Sequence, residues 1–128
     1  MAEGKVPFRY EMTRKGDMVV CTTAGCMDAP SAAALFDAVR REVTLLPARV
    51  ILIYDATALD SLESGVIPHA QRSVRELHRS VLGFGVVSRK AFVRFAVSMV
   101  KLATPHMIVA FEELPEALAW GERTLRGR

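Results

Sequence analysis

The sequence predicts an α/β fold: one mixed, mostly parallel five-stranded sheet with an N-terminal hairpin and four helices, in the order β-β-α-β-α-β-α-β-α. Three observations predict it. The run Val50-Ile51-Leu52-Ile53-Tyr54 is apolar at successive positions, the pattern of a strand covered on both faces, and such strands lie inside parallel sheets. From Ala32 onward, stretches of strand length alternate with stretches of helical period, which implies parallel pairing through right-handed crossovers. Ahead of them stand two short strand-like stretches around a glycine turn, the pattern of an antiparallel hairpin. The 128 residues are the size of one ordinary domain, and residues 1–6 are expected to be flexible.

Each element has its own local reason. Phe8 to Met12 alternates apolar and polar residues, as a half-exposed strand does. Arg14 to Asp17 makes a turn, Gly16 supplying a positive φ. Met18 to Thr23 is the second strand, and Ala24 to Met27 a loop. Asp28 or Ser31 caps the first helix, with Pro30 tolerated in its opening turn. Ala32, Leu35, Phe36, Val39, Val43 and Leu46 form its apolar stripe, and Pro47 stops it. The third strand covers Val50 to Asp55, and a polar turn follows as far as Ser64. Pro68 suits the first position of a helix running to Arg79, with Val66, Ala70, Val74 and Leu77 inward. Val81 to Val87 is the fourth strand, and its two glycines predict close backbone approach by a neighbour.

Ser88 is placed to cap a helix from Arg89 to Thr104. One stripe of that helix, Phe92, Phe95, Ala96, Met99 and Ala103, is enough to cover a sheet. Val93, Val97 and Val100 lie on another arc, which must be covered by a neighbouring helix or stand exposed as a partner surface. Pro105 ends the helix, and His106 to Phe111 is the fifth strand. Glu112 and Glu113 favour the positive end of the last helix, whose inner face is Leu114, Ala117, Leu118 and Leu125, with Trp120 at its edge. Arg123, Arg126 and Arg128 complement its negative end.

Composition excludes several classes. A hydrophobic fraction of 51% and a charged fraction of 24% are those of a globular protein. A net charge of +3, without interleaved basic and aromatic residues, gives no nucleic-acid groove. No apolar core follows Met1 to Lys5, so no secretion signal is expected. The most apolar stretch, Ala91 to Ala103, is broken by Arg94, Ser98 and Lys101, so no membrane span is expected either. Cytoplasmic location follows as the default. His69, His78, His106, Cys21 and Cys26 have no metal-ligand spacing, and no metal or cofactor is expected. There is no P-loop and no nucleophile elbow, so catalysis is not expected.

Ligands of open α/β sheets gather where strands end at their carboxyl edge. Asp55, Thr57, Asp60, Glu63 and Ser64 would all stand there. A second candidate is the cluster Ser88, Arg89, Lys90 and Arg94 at the start of a helix. Cations at that end cost about 0.3–1 kcal/mol each when exposed, and a bound anion would reverse the penalty. Phosphate, a nucleotide or a lipid headgroup would fit such a site.

Two motifs carry a resemblance to a known family. Asp55-Ala56-Thr57 closes a buried strand and is followed, about eight residues on, by Glu63-Ser64-Gly65 at a helix start. The end of the chain reads Phe111-Glu112-Glu113-Leu114-Pro115-Glu116-Ala117-Leu118-Ala119-Trp120. From Val50 onward the chain resembles the STAS-type, SpoIIAA-like domains of anti-sigma-factor antagonists, and its ending looks like that of a branch grouped with SEC14-like lipid-binding folds. The resemblance implies a non-enzymatic regulatory module that binds a protein partner, such as a regulatory kinase or an anti-sigma-like factor, or its own copy. It implies phosphorylation of the serine after the acid, here Ser64. The turn is one residue short and carries Glu63 where the family has aspartate, so Glu63 itself can be aligned with the phosphoacceptor. The alternative that the resemblance implies is a carrier or sensor holding a lipid, nucleotide or other small ligand under the Arg89–Thr104 helix.

Overall fold

The computed structural model describes residues 6–104 and 107–128. The expected flexibility of residues 1–6 falls almost wholly outside these, as do Pro105 and His106, assigned above to a helix stop and a strand start. The element order is β1 (Arg9–Lys15), β2 (Met18–Met27), α1 (Ala29–Thr44), β3 (Val50–Leu62), α2 (Val66–Leu77), β4 (Val81–Val87), α3 (Ala91–Ala103), β5 (Ile108–Phe111) and α4 (Leu114–Arg126). The five strands form one sheet in the order β1-β2-β3-β4-β5. β1 runs antiparallel to β2, and the other three pairings are parallel. This is the architecture that the periodicity predicts.

β3 occupies the centre, and Val50 to Ile53 are fully buried. Its alternate residues serve two cores. Leu52 and Ala56 face α1, α2 and α3, together with Leu35, Val74 and Val97. Ile51 and Ile53 face α4, with Met18, Val87 and Ala117. Burial of each such aliphatic side chain is worth about 1.5–3 kcal/mol, so this strand organises both layers. β1, in contrast, is exposed at every residue but Met12.

Two strands are longer than the sequence suggests. The expected loop Ala24 to Met27 belongs to β2, and most of the expected turn after Asp55 belongs to β3. These extensions pair with each other, Ala24 opposite Ala58, Gly25 opposite Leu59, Cys26 opposite Ser61 and Met27 opposite Leu62. Register shifts at Thr22/Ala24 and Gly25/Cys26 accommodate them. Gly25 has φ 87°, and the Pro7 carbonyl occupies the place of a side chain there. Polar residues along this part of β3 reflect an uncovered face: Thr57, Asp60 and Ser61 are exposed while Leu59 is buried.

The helices differ from expectation at their starts and in one face. Asp28 caps α1, accepting from the Ser31 N–H at 2.8 Å. α2 begins at Val66, so Pro68 is its third residue, still within the turn whose N–H groups lack intrahelical partners. α3 begins after Lys90, and Ser88 is not its cap. The Ser88 hydroxyl instead accepts from the Lys90 N–H at 3.0 Å while buried at the end of β4.

The face of α3 is reversed. Val93, Val97 and Val100, expected as a partner surface, are 3%, 8% and 7% exposed and pack on the sheet. Phe95, expected to cover the sheet, is 61% exposed. Both arcs are apolar, so periodicity ranks neither. The slimmer valines, with Ala96, let the helix backbone sit close to the strands, and the larger Phe95 is left outside.

α4 opens with a reciprocal capping box between Glu113 and Glu116. Trp120 is no edge residue: its ring lies over Gly83 and Gly85, where an added Cβ would meet it at 3.1 Å. The close approach expected at those glycines is therefore made by an indole.

Candidate functional site

The residues expected to gather beyond β3 divide into two groups. Asp55 is only 8% exposed and lies mid-strand. Its Oδ1 accepts from the Thr57 N–H at 3.1 Å and from the Thr57 hydroxyl at 2.8 Å. The Asp55 carbonyl accepts from the Thr23 hydroxyl at 3.1 Å. Asp55 and Thr57 thus tie β3 to itself and to β2. Asp55 pairs with Val87, the last residue of β4, and so stands level with the carboxyl ends of β4 and β5 while β3 runs on past them. Seven further strand residues at ~3.3 Å each separate Asp55 from Leu62 by roughly 20 Å along the chain, so Asp55 and Thr57 do not join Glu63 and Ser64.

Glu63, Ser64 and Gly65 form the true exit and are all exposed. The Glu63 N–H donates to the Met27 carbonyl at 3.0 Å, which fixes the turn to the end of β2. The N–H groups of Val66 and Ile67 donate back to the carbonyls of Glu63 and Ser64 at 3.0 and 3.1 Å. Gly65 is the N-cap of α2, and no side chain caps the helix. The Ser64 hydroxyl does not cap α2: it stands one residue too early and faces outward without a partner among the described residues. It lines a cleft of about 360 Å³ with Leu62, Ile67, Ala91, Phe92, Phe95 and Ala96. This cleft unites the β3–α2 turn with the first turns of α3. The part of Phe95 in it was missed in the sequence because its face of α3 was assigned inward.

The basic cluster is turned to protein oxygens. Arg89 pairs with Glu113 and lies 4.0 Å from Glu112, which joins the starts of α3 and α4. Lys90 Nζ donates to the Leu59 carbonyl. Arg94 Nε donates to the Ser88 carbonyl at 3.1 Å. The cations thus offset the unfavourable helix end by meeting acidic or carbonyl acceptors, and Arg89, Lys90 and Arg94, expected with Ser88 to hold an anion, clamp strands and helices together. Among the described residues no group of three His, Cys, Asp or Glu side chains could hold a metal ion, and no helix is long and apolar enough to cross a membrane.

A separate cavity of about 110 Å³ lies inside, between the sheet and α1, α2 and α3. It is below the ~300–1,000 Å³ usual for ligand pockets, so a lipid or nucleotide does not fit it as it stands. Tyr54 forms part of its wall and meets Phe36 edge-on at 5.8 Å. Burial pushes the Cys21 thiol up to about 12 and drives the Tyr54 phenol upward as well. The native protein then keeps protons that the unfolded chain begins to release near pH 9. Stability should be undiminished below about pH 9 and fall as pH rises toward 12. Urea midpoints measured from pH 8 to 11 check this, and Cys21→Ala should flatten the decline.

No protein-family model and no curated protein sequence matches the chain. Solved structures do. An anti-sigma factor antagonist from Mycobacterium paratuberculosis superposes with a TM-score of 0.72 at 22% identity, covering 91% of this chain and 95% of that one. A Shewanella loihica protein described as uncharacterised with a SpoIIAA-like fold gives 0.68 at 14% identity, covering 94% and 98%. The anti-sigma factor antagonist SpoIIAA in its unphosphorylated form gives 0.65 at 20% identity, covering 95% and 98%. With superpositions that cover more than nine-tenths of both chains in each case, this chain has the SpoIIAA-like fold.

Proposed function

We propose that this protein is a non-enzymatic regulatory module that docks a protein partner in the cleft between the β3–α2 turn and α3, with Ser64 as its point of control. The observation that carries this reading is the exposed, uncapped Ser64 hydroxyl on the wall of an apolar cleft beside the exposed Phe95 ring. The descriptions of similar structures as anti-sigma factor antagonists, one of them in an unphosphorylated form, support it. The partner class is an anti-sigma-like factor or a regulatory kinase.

The local backbone says what phosphorylation would do. A phosphate adds about −1.5 to −2 charges. At the first turn of α2 the N–H groups of Val66 and Ile67 are already engaged, and Pro68 has none. The added charge would therefore stand at the mouth of the cleft, where it opposes apolar docking. Glu63, exposed next to it, already places one negative charge there. Ser64→Asp should lower partner capture from native cell extract, and Ser64→Ala should raise it. Equal capture by the two variants removes the switch from the account.

A further inference from the structure

We propose that the hollow core beneath α3 binds a small, mostly apolar molecule, about the size of one six-membered ring, whose single hydrogen-bond acceptor meets the Tyr54 hydroxyl. The cavity of about 110 Å³ approaches the ~150 Å³ of an apolar cavity that stays dry and admits benzene. Its wall is drawn from all three helices and the sheet, including Phe36, Ala56, Ser73, Val93 and Val97. Carbon dominates that wall, so water would find too few partners inside it.

Tyr54 is the exception in this surround. Its hydroxyl is buried and reaches no hydrogen bond of full geometry among the described residues, the Ser73 hydroxyl being near enough only to favour its ionised form weakly. A buried donor without an acceptor carries the full cost of its lost hydration. The phenol cannot resolve this by ionising, because burial raises its pKa; the Cys21 charge adds to the rise, and the Ser73 hydroxyl opposes it only in part. An occupant with one acceptor satisfies the donor and restores the dispersion contacts that an empty space withholds from its lining. Leu62, Ile67 and Ala96 line both this cavity and the docking cleft, so an occupant of the core bears directly on the cleft wall.

Benzene and pyridine test this, being isosteres that differ by one acceptor, at mildly alkaline pH where pyridine is neutral. Titrations followed by the methyl resonances of Val93 and Val97 should show both probes binding. Tyr54→Phe should weaken pyridine about tenfold, equivalent to ~1.4 kcal/mol, and leave benzene within twofold. Comparing each probe with itself across the substitution cancels the different hydration of the two rings. Ala56→Val, which fills the space with a strand-compatible side chain, should abolish both responses in a folded protein. Silence of both methyls toward both probes in the unsubstituted protein overturns the site. An equal response of benzene and pyridine to Tyr54→Phe overturns the acceptor.

Discussion

Trp120→Ala should lower the unfolding free energy by about 3 kcal/mol, at the lower end of the ~3–5 kcal/mol range for removing a large aromatic from a core. The lower end applies because the indole is only partly buried. Its ring fills the space that Gly83 and Gly85 leave open, with Cβ-equivalent distances of 3.1 Å, and it packs on Phe111 at a centroid separation of 5.4 Å. α4 is the helix that covers this face of the sheet, and Gly121, one residue on, sits against Met18 and Ile51. Truncation would take from both glycine positions their nearest side-chain neighbour. Gly85→Val should be costly for the opposite reason, since its side chain would need the indole's place. Urea denaturation measures both. A loss below about 1 kcal/mol for Trp120→Ala would mean that α4 is held elsewhere.

Phe95→Asp should weaken partner binding at least ~30-fold, about 2 kcal/mol, without lowering the stability of the free protein. The ring is 61% exposed, so the fold loses little by its removal. It lines the cleft with Ser64, and an aromatic at the centre of a docking surface is the usual source of a dominant contact. Leu102 supplies the control. It lies on the same helix and is 81% exposed, but it is not part of the cleft. Leu102→Asp should leave affinity within about threefold. Equal losses from the two substitutions would make the whole outer face of α3, and not the cleft, the binding surface.

The order of elements was legible because each one carries a period. Val50 to Tyr54 reads as a strand buried on both sides, and it is the central strand. Gly83 and Gly85 announced a close neighbour, though only the coordinates name Trp120. The ends of β2 and β3 were hidden because their pairing leaves one face in water, and Thr57, Asp60 and Ser61 then look like a turn. That error placed Asp55 and Thr57 at the site, when they are internal ties of the strand. The α3 face was hidden because a helix apolar on two arcs carries no signal for which arc is covered. The cations at the start of α3 gave no sign in sequence of their acceptors, which are Glu113 just ahead of α4, the Leu59 carbonyl of β3 and the Ser88 carbonyl just past β4. Of the residues marked in the sequence, Glu63 and Ser64 remain exposed at the exit of β3.

Hydrogen–deuterium exchange of this protein, alone and with a partner captured from its native extract, shows whether the partner docks in the cleft. Slowed exchange is expected in residues 62–67 and 91–96, the two segments that form it. Protection confined to β1 or α4, with those segments unchanged, would contradict docking there.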